Sequence, residues 1–224
     1  MTSEPQRIEV ALPAGPLEVS AEWERPADAW AAIAIAHGAG TALKHLFLTG
    51  LSERLSELGV ASLRFNFPYS EAGRRMPGPP AHALATWAAI GAWTERTAPD
   101  LPWFAAGKSY GGRMASMAAA DGVIAPVGII YLGYPLHPPG EPAKARVAHL
   151  PDVPQPQLFV EGTNDPFIDP HDQLEAAVAS CRDATLTWIE GAGHSFEVKG
   201  RRRPADQIGG DLAPIVAEWA RARV

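Results

Sequence analysis

The stretch WFAAGKSYGGRMAS, residues 103–116, matches two motifs that require different structures. Its tripeptide GKS is the end of a phosphate-binding P-loop, whereas its pentapeptide GKSYG (107–111) fits the G-x-S-x-G pattern of a serine nucleophile elbow. A P-loop needs a glycine five residues before Gly107, and the chain has Pro102 there. The intervening WFAA is an apolar strand that runs directly into Gly107 and cannot wrap a phosphate. The stretch therefore predicts a strand, a tight turn that exposes Ser109, and a helix.

Short apolar runs alternate with helical patterns on both sides of this stretch, which is typical of a parallel sheet covered by helices. The predicted strands are 17–23, 31–37, 61–67, 103–107, 128–134, 157–162 and 185–191. Helical patterns are expected at 48–58, 82–97, around 110–117, at 171–180 and at 211–223. Pro214 is expected within the first turn of the last helix, where proline is tolerated. We predict one α/β domain over residues 1–224, with a doubly wound, mostly parallel sheet and helices on both faces.

The composition excludes several classes of protein. With 46% apolar and 20% charged residues among 224, the chain has the composition of a soluble globular domain. No run approaches the roughly 18 to 20 apolar residues of a membrane span, and the polar, acidic N-terminus does not resemble a signal peptide. The single Cys181 permits no internal disulfide, which fits a reducing cytoplasm. The net charge of −6 argues against nucleic-acid binding. We expect a cytoplasmic monomer or homodimer without a membrane partner.

Partners for the serine occur in the order that an elbow requires. A serine hydroxyl attacks a carbonyl only when a base removes its proton and a carboxylate orients that base. Asp165 follows the strand QLFVEG, and His194 follows the strand TLTWIEG, so both lie just past strand ends. Asp169 and Asp172 are nearby alternatives for the acid, but Asp165 is nearest the strand end. We predict Ser109, Asp165 and His194 as a catalytic triad.

An oxyanion hole is predicted from two backbone amides. Acyl transfer through a tetrahedral intermediate needs two N–H donors for its negative oxygen. One is expected at Tyr110, directly after the serine, and the other at Ala39, within the sequence HGAG (37–40) that follows the strand AAIAIA. We expect His37 to orient this loop without titrating. No metal-ligand spacing and no dinucleotide motif is found, so no metal and no cofactor is expected.

Several ordered blocks resemble the α/β-hydrolase superfamily, specifically its dienelactone-hydrolase-like and testis-expressed hydrolase-like proteins. The resemblance runs from about residue 30 to the C-terminus. Its marks are AHGAG (36–40), RFNFPYSEAGRR (64–75), AGKSYGGRMAS (106–116), LGYPLHPPG (132–140), GTNDPF (162–167) and GHSF (193–196). Dienelactone hydrolases carry cysteine at the nucleophile position, so their substrate is not transferred to this chain.

The resemblance also implies a substrate pocket. It places Asn66, Phe67, Tyr69, Tyr134 and His137 at the strand ends around the serine. Only the proline-rich segment 135–156 separates two strands at the position where many hydrolases insert a cap. That segment is too short for a lid of several helices, so we expect a shallow, open site.

Two functions remain open at this point. The first is a serine hydrolase that acts on a small-molecule ester or thioester through an acyl-enzyme. The second is a non-catalytic binding or scaffold module with the same fold, since the family includes such subunits. An intact triad favours the first. Four cations either contact an acidic substrate or are solvated: Arg74, Arg75, Lys108 and Arg113.

Overall fold

A computed structural model describes residues 3–224, and within them the chain forms one eight-stranded sheet. The strands are β1 (Glu4–Val10), β2 (Leu17–Glu24), β3 (Ala31–Ala36), β4 (Val60–Phe65), β5 (Trp103–Lys108), β6 (Ile129–Leu132), β7 (Gln157–Gly162) and β8 (Ala184–Ile189). Their order across the sheet is β1-β2-β4-β3-β5-β6-β7-β8. Strands β3 to β8 pair in parallel, and β2 pairs antiparallel with both β1 and β4. The predicted doubly wound, mostly parallel sheet is confirmed.

Helices cover both faces of this sheet. They are α1 (Leu46–Glu57), α2 (Pro68–Glu71), α3 (Pro80–Thr97), α4 (Tyr110–Ala120), α5 (His171–Ser180) and α6 (Ala205–Arg221). The fully buried strand β3 shows how the two cores divide, because its side chains alternate between them. Ile33 and Ile35 pack with α1 and α6, whereas Ala32 and Ala34 face the core that contains α3, α4 and α5.

The two ends of the chain differ from the prediction. Strand β1 was not expected, because EPQRIEV is mostly polar and buries only Ile8 and Val10. Its pairing with β2 along all seven residues supplies the main-chain hydrogen bonds that define it.

Helix α6 begins at Ala205, so the expectation that Pro214 lies in its first turn was wrong. A proline inside a helix costs about 3 kcal/mol because it removes one hydrogen bond and crowds the preceding turn. Tertiary packing offsets this cost. A Cβ on Gly50 would lie 2.0 Å from the Asp206 carbonyl oxygen, and one on Gly209 would lie 1.9 Å from that of Phe47. Only glycines allow α1 and α6 to approach so closely, and Pro214 itself lies on the exposed side of α6.

In the described part of the chain, residues 3–224, no large cap covers the carboxyl ends of the parallel strands. The segment 135–156 contains two single-turn 3-10 helices, Pro142–Lys144 and Leu150–Asp152. Within residues 3–224, no helix combines the length and the apolar character needed to cross a membrane.

Candidate active site

Ser109 lies at the junction of β5 and α4 in a strained conformation. Its φ of 50° and ψ of −116° are uncommon for a residue with a side chain, and they turn the hydroxyl out of the sheet. The neighbouring glycines permit this turn. A Cβ on Gly107 would lie 2.2 Å from the Gly112 nitrogen, and one on Gly111 would lie 2.7 Å from the His37 carbonyl oxygen. The strand and helix therefore pack with no room for a side chain at either glycine, as an elbow requires.

A chain of hydrogen bonds connects Ser109, His194 and Asp165. The distance from Ser109 Oγ to His194 Nε2 is 2.8 Å, and that from His194 Nδ1 to Asp165 Oδ2 is 2.6 Å. Because a carboxylate only accepts, the Nδ1 atom carries the proton and donates to Asp165. The Nε2 atom is then free to accept the Ser109 hydroxyl. The structure thus brings these three predicted residues together in the orientation that a general base needs.

Two further contacts hold Asp165 and His194, and both involve Phe167, which was not among the site residues predicted from the sequence. The Phe167 amide donates to the second carboxylate oxygen of Asp165 at 2.8 Å, and its ring stacks on the His194 imidazole with centroids 4.1 Å apart. The Asp165 side chain is fully buried just past the end of β7. Asp169 and Asp172, the two alternatives, are exposed. The sequence feature that predicts this contact is the position of Phe167 two residues after Asp165, because in a turn the main-chain amide at that position can donate to an aspartate side chain.

The surroundings of His194 favour its neutral form. Burial lowers the pKa of His194, its hydrogen bond to Asp165 opposes this effect, and the nearby Lys108 ammonium lowers the pKa further. The net direction is below the ordinary value. A neutral imidazole at pH 7 can accept the serine proton.

The Gly38 carbonyl, in the loop after β3, is held by three side-chain donors. This oxygen accepts hydrogen bonds from His37 Nδ1 at 2.8 Å, from the Thr41 hydroxyl at 2.9 Å and from the Tyr69 hydroxyl at 3.3 Å. In a trans peptide the following N–H points away from the carbonyl, so fixing Gly38 also fixes the amide of Ala39. That amide finds no acceptor among residues 3–224. The Tyr110 amide begins α4 and has no acceptor within the helix.

His37 is held as a neutral ring in this network. Its Nδ1–H donates to Gly38, and its Nε2 accepts the Phe67 amide at 3.2 Å. Burial lowers the pKa of His37 to about 4, so the ring does not titrate near neutral pH. This geometry agrees with the orienting role expected from the sequence.

The fold agrees with the comparisons to known proteins. The α/β-hydrolase domain family matches residues 29–214. The chain belongs to that family. Its fold is similar to that of a dienelactone hydrolase from Anabaena variabilis, with a TM-score of 0.76 at 20% identity over 100% of both chains. An α/β serine hydrolase homologue from Coxiella burnetii gives 0.74 at 21% identity over 97% of each chain. An α/β serine hydrolase without lid from Xanthomonas campestris gives 0.72 at 21% identity, over 98% of this chain and 96% of that one.

A cleft of about 260 Å³ opens beside Ser109 in this α/β-hydrolase domain. It lies between the loop after β3, the start of α1 and the chain from His194 to the start of α6. Its lining residues are Gly38, Ala39, Thr41, His45, Phe47, Leu48, Lys108, Ser109, His194, Ser195, Glu197, Ala205 and Ile208. Phe47, Leu48 and Ile208 supply apolar surface to it, and the cleft is small compared with the roughly 300–1,000 Å³ of drug-sized sites.

The five residues expected around the substrate do not line this cleft. They are Asn66, Phe67, Tyr69, Tyr134 and His137. Four of them are buried with at most 3% of their surface exposed, and Asn66 is partly buried. Asn66 and Phe67 directly follow β4, Tyr69 lies in α2, and Tyr134 and His137 lie in the segment after β6. All except Asn66 bury their side chains.

Each of these inward side chains has a structural partner. The Asn66 amide group contacts the Leu43 amide and Glu71, and the Tyr134 hydroxyl donates to the Arg146 carbonyl at 2.7 Å. The Phe67 ring packs edge-on against His37. His137 Nδ1 lies 2.8 Å from the Pro138 carbonyl. The conformation of the backbone sets the directions of these side chains, and a sequence pattern does not reveal that conformation.

The four cations do not form one cluster. Arg74 and Arg75 are exposed, and Arg113 is partly buried with its guanidinium against Met117 Sδ at 3.7 Å. Lys108 alone reaches the cleft. Among residues 3–224, no group of three or more His, Cys, Asp or Glu is arranged to hold a metal ion.

Proposed function

We propose that the protein is a serine hydrolase that cleaves a small ester or thioester through an acyl-enzyme. The observation that carries this proposal is the hydrogen-bonded chain of Ser109, His194 and Asp165 at a strained strand–helix turn. A binding module does not need a nucleophile, a base and an acid that are hydrogen-bonded in this order. It also has no need to hold a serine at positive φ with its hydroxyl against a neutral imidazole.

Acylation uses this chain in two steps. Ser109 Oγ attacks the carbonyl carbon while His194 Nε2 takes the hydroxyl proton, and Asp165 stabilises the imidazolium that forms. The negative oxygen of the tetrahedral intermediate accepts from the Ala39 and Tyr110 amides. The bond to the leaving group then breaks, and His194 returns the proton to the leaving oxygen or sulfur.

Deacylation repeats these steps with water. His194 removes a proton from the water, whose oxygen attacks the acyl carbon of the Ser109 ester. The second tetrahedral intermediate collapses, the carboxylic acid leaves, and the serine recovers its proton from the imidazolium. No cofactor or metal enters the sequence of steps.

The size of the cleft supports a small substrate. A volume of about 260 Å³ without a cap buries little of a long acyl chain. Remote binding energy is therefore small, and the interactions at the reacting carbonyl carry most of the catalysis.

The test uses matched serine variants. We expect Ser109→Ala to lower kcat for a short p-nitrophenyl ester by about a thousandfold or more without changing the thermal unfolding midpoint. Ser195→Ala is the control, because Ser195 is exposed, lines the same cleft and adjoins His194. Its turnover should stay within a few fold of the wild type.

Other outcomes would contradict the proposal. Unchanged turnover in a folded Ser109→Ala variant would show that another group is the nucleophile. No turnover of any ester or thioester by the wild type would favour the non-catalytic binding or scaffold module.

A further inference from the structure

Lys108, which directly precedes the serine, reaches across the site to the main chain of the base. Its Nζ donates to the His194 carbonyl oxygen at 2.6 Å and lies 5.5 Å from the centre of the Phe196 ring. The sequence offered no sign of this contact, because 86 positions separate the two residues. Lys108 also lines the cleft, so its charge lies beside the reacting groups.

The chain leaves room for this contact at Gly133. This glycine directly follows β6 and has a φ of +73°. A Cβ there would lie 3.1 Å from Lys108 Nζ and 3.3 Å from the His194 carbonyl oxygen. Even a methyl group would crowd both partners. The absence of a side chain at this position therefore permits the lysine and the histidine main chain to meet.

The segment that carries His194 needs such an anchor. Phe196 has a φ of +61°, which is strained for an aromatic residue. Its ring stacks on Phe47 with centroids 5.9 Å apart, and this burial offsets the strain. The Phe196 ring and the Lys108 ammonium, which lie next to each other, thus both contact this turn.

Four titratable groups interact with the Lys108 ammonium. The carboxyls of Glu161 and Asp165 are buried, and both attract it. The His45 and His194 rings are disfavoured as cations by it. Burial lowers the pKa of Lys108 to about 8, against the opposing effect of the two carboxyls, so most of the lysine is still charged at pH 7.

The Glu161 carboxyl makes its hydrogen bond with the Tyr134 main chain. One of its carboxyl oxygens accepts the Tyr134 amide at 2.6 Å, and the other, also buried, has no hydrogen-bond partner within residues 3–224. Burial raises the pKa of Glu161 well above its ordinary value, and Lys108 opposes this shift. The role of Lys108 is therefore not limited to neutralising Glu161, because its only hydrogen bond in the described chain goes to His194.

We propose that Lys108 is a positioning residue for the general base. Its ammonium holds the His194 main-chain carbonyl so that Nε2 stays within reach of Ser109, and its positive charge keeps the resting imidazole neutral. This inference rests on the proposed function only for its kinetic part, since the effect on the histidine is measurable without any substrate.

The first measurement is an NMR titration of the histidine side chains, with His194 assigned from the spectrum of His194→Gln. Lys108→Met removes the charge and the donor but keeps an unbranched apolar side chain that is only one atom shorter. We expect the His194 pKa to rise by about 0.5 to 1 unit, because a nearby positive charge is lost. Lys144→Met is the control, since Lys144 is exposed and pairs only with Glu141. It should leave the His194 pKa unchanged.

The double variant Lys108→Met/Glu161→Gln separates the two neighbours of the lysine. If the upward shift persists in the double variant, it comes from the lost ammonium. If the His194 pKa returns to its wild-type value, the shift came from an uncompensated Glu161 carboxylate, and the proposal is overturned. An unchanged pKa in a folded Lys108→Met variant overturns it as well.

The kinetic measurement is the pH profile of kcat/KM for a short ester. The acid limb should move to higher pH in Lys108→Met by the same amount as the His194 pKa, with kcat reduced about tenfold or more and KM little changed. Lys108→Arg, which keeps the charge and a donor, should recover part of both effects. An inactive wild type with a shifted His194 pKa would contradict the hydrolase proposal and leave the electrostatic part of this inference intact. An active Lys108→Met with an unshifted acid limb would overturn the inference alone.

Discussion

Replacing Thr41 tests whether the Gly38 carbonyl positions the Ala39 amide that we propose as an oxyanion donor. The Thr41 hydroxyl donates to that carbonyl at 2.9 Å, and Thr41→Val removes the donor while keeping the shape of the side chain. Three other donors remain: His37 Nδ1 at 2.8 Å, the Tyr69 hydroxyl at 3.3 Å and the Thr41 amide at 3.4 Å. In Thr41→Val we therefore expect the Gly38–Ala39 peptide to tilt but to stay close to its wild-type position.

The expected loss of kcat follows from the number of donors that remain on the Gly38 carbonyl. Loss of a whole oxyanion donor costs about 10²- to 10³-fold in kcat, which sets the upper limit. One neutral hydrogen bond contributes about 0.5–1.5 kcal/mol, which corresponds to roughly a 2- to 12-fold change in rate. We therefore expect Thr41→Val to lower kcat by about 3- to 10-fold. KM should change little, because the oxyanion forms only in the transition state.

Steady-state kinetics on p-nitrophenyl acetate, together with urea unfolding, measure this effect. Thr41→Ser is the matched control, since it keeps the hydroxyl and removes only the methyl group from the cleft wall. It should retain most of the wild-type kcat. Wild-type kcat in Thr41→Val, or an equal loss in both variants, would refute the idea that the hydroxyl acts through the Gly38 peptide.

Four more predictions test other parts of the site and fold. Asp165→Asn should lower kcat by about 10⁴-fold, whereas Asp169→Asn should have little effect; equal losses would contradict the choice of acid. Because the pKa of His194 lies below its ordinary value and the neutral ring is the active form, kcat/KM should be constant near pH 7 and fall only below about pH 6.5; a higher acid limb would contradict this. Across acetyl, butyryl, octanoyl and palmitoyl esters below micelle formation, kcat/KM should stay flat or fall; a deep tunnel would instead gain about 0.8 kcal/mol, nearly fourfold, per buried methylene. Gly50→Ala and Gly209→Ala should each destabilise the fold by about 1–3 kcal/mol or more, because their Cβ atoms would overlap carbonyl oxygens of the opposite helix. The midpoint of urea unfolding measures this effect. Unchanged midpoints would show that α1 and α6 can separate at no cost in stability.

The sequence predicted the parallel part of the sheet because its strands are apolar on both faces. Strand β3, for example, is AAIAIA with every residue buried, and such a run has few alternative structures. The elements that were missed depend on partners distant in the chain. Strand β1 is polar and exists through its pairing with β2, and helix α6 extends through Pro214 because glycines admit it against α1.

A similar division applies to the candidate site. The order of Ser109, Asp165 and His194 at strand ends is a property of the linear pattern, and the fold brings strand ends to one edge. The direction of a side chain in a loop is not such a property. Tyr134 and His137 were expected at the substrate but point inward, whereas Phe167 and Lys108 contact His194 across distances in the chain that no spacing reveals.

The most direct test of the hydrolase proposal is to locate the nucleophile chemically. The wild-type protein is treated with a fluorophosphonate probe, its intact mass is measured, and the modified peptide is mapped by mass spectrometry. The account predicts one adduct per chain, on Ser109, formed in the wild type and in Ser195→Ala but not in Ser109→Ala. An adduct on any other residue, or no adduct in a folded protein that is exposed to excess probe, would contradict it.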